Sequence, residues 1–312
     1  MRDCQEVRGK RIVRILDGTI NKSVAVVLIF MLLFGVYALW DSHMVYQEAD
    51  ASQYKAYKPT TDTSPSFDEL RAINPDVFAW LTIYGTHIDY PVVQGADDTK
   101  YLNTNAKGDY AISGAIFLDG KNHRDFSDFN SVIYGHHMEK NEMFGQISDF
   151  EEQAFFDAHP YGNLFVNGRN YGVQIFAFDT VDAYNTNVYD VGLTEPSAKE
   201  AYLNSILSGA KIKREVGVTT ADHLLLMSTC SEDVTNGRYI LVARITDQTY
   251  PDTFGGSSDN TGNGADAIRG WLMRIPWQGW AFIWLILLFI LLWIIKRYRE
   301  KRKKKQTNRQ EK

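Results

Sequence analysis

Two short segments carry the residue types that nucleophilic chemistry needs. The first, HLLLMSTC (223–230), runs into SEDVTNG (231–237) and then RYILVARI (238–245). Strand-type apolar runs flank a loop that ends on Asn236-Gly237, a pair that favours turns. If the runs pair antiparallel, Cys230 ends one strand and Arg238 opens its neighbour, about 4.8 Å away. A thiolate attacking a carbonyl needs a donor for the oxyanion it creates, and a permanently charged guanidinium supplies one. The second segment, NSVIYGHHMEKNEMF (130–144), ends a β-branched run at Gly135 and follows it with His136 and His137. A histidine delivered at a strand end is a natural proton shuttle for a cysteine nucleophile. Adjacent side chains of an extended chain face opposite ways, so one of the two histidines serves the site. Taken singly, each segment also fits a bland reading: a small buried thiol with a surface cation, or a pair of solvated loop histidines. Together they favour chemistry.

The elements that must position these residues are short strands. Candidates are 79–83, 88–93, 115–118, 131–134, 164–166, 173–178, 223–229 and 238–245. Three helical patches interrupt them, at 67–73, 150–159 and 196–208; in the last, Pro196 suits a first turn. Many short strands with few helices predict a mainly β fold, a closed or nearly closed barrel of about eight strands with helical insertions.

The net charge of −5 conceals an asymmetry. Residues 1–22 hold six Lys/Arg against three acids, and residues 296–312 hold ten against two. The stretch between them keeps 17 basic and 33 acidic residues, a net −16. Each basic end abuts an uncharged apolar run: 18 residues over Ser23–Trp40 and 19 over Trp277–Ile295. Each run, as a helix, spans about 27–29 Å, close to a hydrocarbon core of about 30 Å. The excess of positive charge then puts both termini in the cytoplasm and residues 41–276 outside the cell. The expected layout is a basic N-terminus (1–22), a transmembrane helix (23–40), a stalk (41–66), a catalytic domain (67–246), a flexible linker (247–276), a second transmembrane helix (277–295) and a basic tail (296–312). A cleaved signal peptide is the alternative for the first run, with Ala49-Asp50-Ala51 as the cleavage triplet, though the apolar core is longer than such peptides use. Of the two cysteines, Cys4 falls on the cytoplasmic side, so Cys230 has no disulfide partner outside. Neither C-x-x-C nor H-E-x-x-H occurs, so no metal is expected, and no cofactor or nucleic-acid partner either.

On these residues the chain resembles the sortases, and class B more than the other classes. The family's strand-end Thr-Cys, the Arg opening the next strand and the earlier Gly-His stand here as Thr229-Cys230, Arg238 and Gly135-His136. Class B character comes from AWLTIYGTHIDYPVVQ (79–94), Tyr101-Leu102, GAIFLD (114–119) and YGHHM (134–138), so the similarity covers roughly 67–246. The resemblance implies a cysteine transpeptidase with Cys230, His136 and Arg238 as catalytic residues and Ser228, Leu102 and Asp98 as substrate contacts. It implies as partners a secreted protein with a C-terminal sorting motif and an amine from a peptidoglycan precursor or a pilin Lys. Two departures stand out. Ser231 follows the cysteine where class B members commonly have an acid, and the second apolar run is more typical of pilin-polymerising sortases. Papain-like enzymes place Cys before His, and L,D-transpeptidases favour Gly before the Cys, where this chain has Thr229. A membrane-tethered adhesin or scaffold with a buried thiol is the non-enzymatic alternative.

Overall fold

The structure, a computed structural model, describes residues 2–59, 65–230 and 236–254. Its helices are α1 (Arg2–Ala49), α2 (Pro65–Ile73), α3 (Gln153–Ala158) and α4 (Pro196–Gly209). Its strands are β1 (Val77–Ile83), β2 (Asp89–Val93), β3 (Ile116–Leu118), β4 (Asn130–Tyr134), β5 (Tyr161–Val166), β6 (Arg169–Asp182), β7 (Ile212–Lys213), β8 (His223–Cys230) and β9 (Gly237–Thr246). The strands join in the order β5-β1-β2-β3-β4-β8-β9-β6, and β6 pairs back onto β5. Eight strands therefore close into the expected barrel, which is mixed, and β7 adds a two-residue edge on β6. Closure leaves no long row of unpaired backbone groups along the ring. Two neighbours run parallel, β2 with β3 and β4 with β8; the remaining pairs are antiparallel.

β8 reads as a continuous apolar run because both of its faces are covered. Leu225 and Met227 join the barrel interior, while Leu224 and Leu226 join a second cluster outside it. There Tyr202, Leu203 and Ile206 of α4 pack on Val132, Ile240 and Val242. The four β8 residues are wholly buried, and truncating a buried leucine costs about 2–5 kcal/mol, so the register of this strand is firmly held.

The eight expected strands are present, several of them longer at their ends. The helix expected over 150–159 is instead a 3-10 helix, Gly145–Glu151, followed by the six-residue α3. The segment read as a stalk is helical to Tyr57: α1 continues to Ala49, and a 3-10 helix follows over Ala51–Tyr57, started by Asp50, whose carboxylate accepts the Ser52 N–H at 2.7 Å. Ala49 and Tyr54 are buried in the barrel's main core, and the compact body accordingly begins at Ser42. Ahead of it, α1 is the helix among the described residues that is long and apolar enough to cross a membrane, and none of its most apolar stretch is buried. By length and composition, an N-terminal apolar helix of this kind suits a membrane anchor for the domain that follows. The linker beyond residue 254, the second apolar run and the basic tail lie outside the described residues.

Candidate active site

The strand register brings the sequence-singled residues to one end of the barrel. The last β4–β8 pair is Tyr134 with Ser228, and the Gly135 N–H donates to the Ser228 carbonyl at 3.2 Å. Because these strands are parallel, the chain positions two residues further on are His136 and Cys230. The last β8–β9 pair is Cys230 with Arg238. Three chemically distinct residues thus come from adjacent strands, each spaced by about 4.8 Å.

His136 is held by Leu102. Its Nε2 lies 2.8 Å from the Leu102 carbonyl, which can only accept, so Nε2 carries the proton and Nδ1 is the basic nitrogen of the neutral ring. That carbonyl is delivered by a short turn. Asp97 accepts the N–H groups of Thr99 and Lys100 at 2.9 and 3.1 Å, starting the 3-10 helix Lys100–Leu102. Gly114 lets this turn approach: it is left-handed (φ 61°), and a Cβ there would stand 2.7 Å from Leu102 O. His137 goes elsewhere. It bridges Met143, and its ring lies 6.0 Å from that of Tyr239, a residue of the barrel interior. The loop after the histidines is left-handed at Lys140, Asn141 and Met143 (φ 63°, 64° and 54°). Such conformations cost about 1–3 kcal/mol per non-glycine residue and persist only where the surroundings impose them.

Arg238 is half-buried, with Nη1 donating to the Gly237 carbonyl at 3.0 Å. Ser228 is buried and its Oγ lies 3.1 Å from the Tyr189 hydroxyl. The Tyr189 ring packs 6.1 Å from that of Tyr134, whose hydroxyl donates to Asp119 Oδ2 at 3.0 Å. Burial, with Asp119 beside it, pushes the Tyr134 phenol up, so it stays a donor at neutral pH. Asp98 Oδ1 accepts the Gly120 N–H at 2.7 Å, and burial raises its carboxyl, with Asp119 adding to the effect. Leu102 and His136 are therefore in direct contact, whereas Asp98 and Ser228 sit beside different members of a group made of Asp119, Tyr134 and Tyr189. Sequence reading did not single out the last three as site residues. Tyr134 and Asp119 do stand inside the YGHHM and GAIFLD segments, whereas nothing local marks Tyr189. The loop 231–235, with Ser231, lies outside the described residues.

Comparison with known proteins agrees with this architecture. Residues 81–246 match the family model of the sortase domain. Sortase B of Listeria monocytogenes is 30% identical over 240 residues, covering 72% of this chain and 96% of that protein. The crystal structure of sortase B from the type II pilus of Streptococcus pneumoniae is similar with a TM-score of 0.52 and 45% identity, over 58% of this chain and 99% of that one. A Streptococcus pyogenes class B sortase involved in pilus biogenesis gives a TM-score of 0.52 at 37% identity, over 57% and 97%. With its family-model match, its identity across 96% of a curated relative and its eight-strand barrel, the chain belongs to the sortase family of cysteine transpeptidases and is class B-like within it.

Proposed function

We propose that Cys230 is the nucleophile, His136 the general acid and base, and Arg238 the oxyanion donor of a transpeptidation that joins secreted proteins to an amine. The Cys230 thiolate attacks the carbonyl carbon of a sorting-signal residue, typically Thr, near the C-terminus of the secreted substrate. Arg238 stabilises the negative charge that develops on the carbonyl oxygen. His136, as imidazolium, gives its proton to the departing amine as the C–N bond breaks, leaving a thioester on Cys230. An amine then attacks the thioester, His136 takes its proton, and the C–S bond breaks to return the thiolate and form a new amide. Ser228, Leu102 and Asp98 contact the sorting signal. The observation that supports this reading is the register that sets Cys230 opposite Arg238 and level with His136.

The amine comes from a peptidoglycan precursor or a pilin Lys; the pilus origin named for two of the relatives favours the second. We further propose a two-pass membrane arrangement with both termini cytoplasmic, on the strength of the two apolar runs and their basic flanks. Both reactants are then confined to one membrane layer, which raises their effective concentration. Mass spectrometry of the protein from native cells should find an acyl adduct on Cys230 whose mass gives the sorting signal. An adduct on another residue, or a trapped peptide joined to none, would overturn the assignment.

Arg238→Lys should lose nearly as much kcat/KM as Arg238→Ala, about 10²-fold or more. A lysine keeps the charge but not the planar fork that can hold a substrate carbonyl and the oxyanion together. Wild-type turnover in the lysine variant would reduce Arg238 to a diffuse electrostatic role.

A further inference from the structure

We infer that the chain segment leading into the barrel, Ser42–Ala49, is a positioning element for His136, and that Tyr46 and Tyr90 are its positioning residues. The inference rests on the proposed acid–base role of His136. The loop after that histidine folds back on it: the Phe144 N–H donates to the His136 carbonyl at 3.0 Å, and His137 bridges Met143. Its left-handed turns at Lys140, Asn141 and Met143 are a shape that external contacts must hold.

Those contacts come from the last turn of α1, at two points. Tyr46 donates its hydroxyl to Glu139 Oε2 at 3.1 Å, and Lys140 Nζ stands 3.7 Å from the centre of the Tyr46 ring. The second point is the Ala49 carbonyl, one of the helix-end carbonyls that have no partner within the helix. It lies 2.9 Å from the hydroxyl of Tyr90, a buried residue of β2. The same hydroxyl accepts the Met143 N–H at 2.9 Å and stands 3.1 Å from Glu142 Oε2. A phenol has one proton to donate, so Ala49 and Glu142 compete for it while Met143 is held throughout. One oxygen thereby joins the end of α1 to the loop that returns to His136. Moving the helix end shifts Glu139, Lys140 and Met143 together, and with them the imidazole that reaches Leu102. Proton transfer tolerates little displacement: a misplacement of about 1 Å can cost up to about 10²-fold in rate.

The test uses the full chain in detergent micelles, in a Cys4→Ser background so that Cys230 is the thiol followed. Two readouts are taken: steady-state cleavage of the sorting-signal peptide identified from the acyl adduct, and the pH dependence of iodoacetamide alkylation. Tyr46→Ala, at a partly exposed position, should lower kcat about tenfold with KM within about twofold, and should shift the alkylation midpoint. Tyr46→Phe, which keeps the ring under Lys140, should recover part of the loss. Tyr90→Phe, which keeps the buried ring but severs the link, should reproduce the alanine phenotype at an unchanged melting temperature. Wild-type kcat and alkylation profile in both Tyr46→Ala and Tyr90→Phe, beside an inactive His136→Ala, would overturn the positioning role and leave the acid–base role standing. An active His136→Ala would overturn both.

Discussion

Replacing Cys230 with alanine should reduce peptide transfer to the uncatalysed level while the barrel still melts at its usual temperature. The proposed reaction proceeds through a thioester, which only a cysteine can form, and the chain has two. The chain's other cysteine, Cys4, lies in the first turn of α1, ahead of the apolar run in the sequence. Losing a nucleophile that acts as a unit with its base removes essentially the whole covalent route, on the order of 10⁶-fold where such units have been dissected. Cys230→Ser should be equally inactive, because an alcohol is far less ionised than a thiol at neutral pH and an imidazole alone activates it poorly. The strand should survive either change. Cys230 is the last paired residue of β8, and the burial that fixes the register comes from Leu224 to Met227. Transfer measured with a peptide and a model amine, alongside a thermal melt, checks both halves. More than trace activity in the alanine variant would remove Cys230 from the mechanism.

The second large effect separates two neighbours. His136→Ala should cost about 10²–10⁴-fold in kcat, the usual contribution of a positioned acid–base group. His137→Ala should keep most of the turnover and lose thermal stability instead. The contrast follows from where the rings go. His136 reaches out to the Leu102 carbonyl, whereas His137 packs towards the buried Tyr239. Measured in parallel, kcat and Tm should move in opposite variants. Equal kcat losses in two well-folded proteins would leave no basis for choosing between the histidines.

Much of this was legible in the sequence because the barrel's strands carry their own signals. β8 and β9 were readable from uninterrupted apolar runs, and the turn at Asn236 has the left-handed backbone that an Asn-Gly pair favours (φ 63°). β7 was not readable, since two residues, Ile212 and Lys213, cannot display a period. β6 was seen only at its centre. Its ends, from Arg169 and to Asp182, are polar, and the register shifts between Ile175 and Ala177, which breaks the alternation. The segment before the barrel looked like a stalk because its composition is polar. Its most buried residues, Ala49 and Tyr54, pack with partners far away in the chain. Cys230, His136 and Arg238 could be singled out because each sits at a strand end beside recognisable neighbours. Tyr189 could not, because its value comes from Ser228 and Tyr134 approaching it from other elements.

The place of β9 in the ring has a consequence for timing. Among the described residues it is the last strand to be made, yet it lies between β8 and β6, and Arg238 is its second residue. A chain still lacking this strand has an open sheet in which Cys230 is not paired with Arg238. Pairings between such distant parts of a chain also form slowly, because the loop between them must close first. With Arg238 as the proposed oxyanion donor, a partly made or partly folded copy should be unable to acylate itself on whatever peptide lies nearby. On the proposed roles, the pairing of β9 with β8 is the event that arms the thiol.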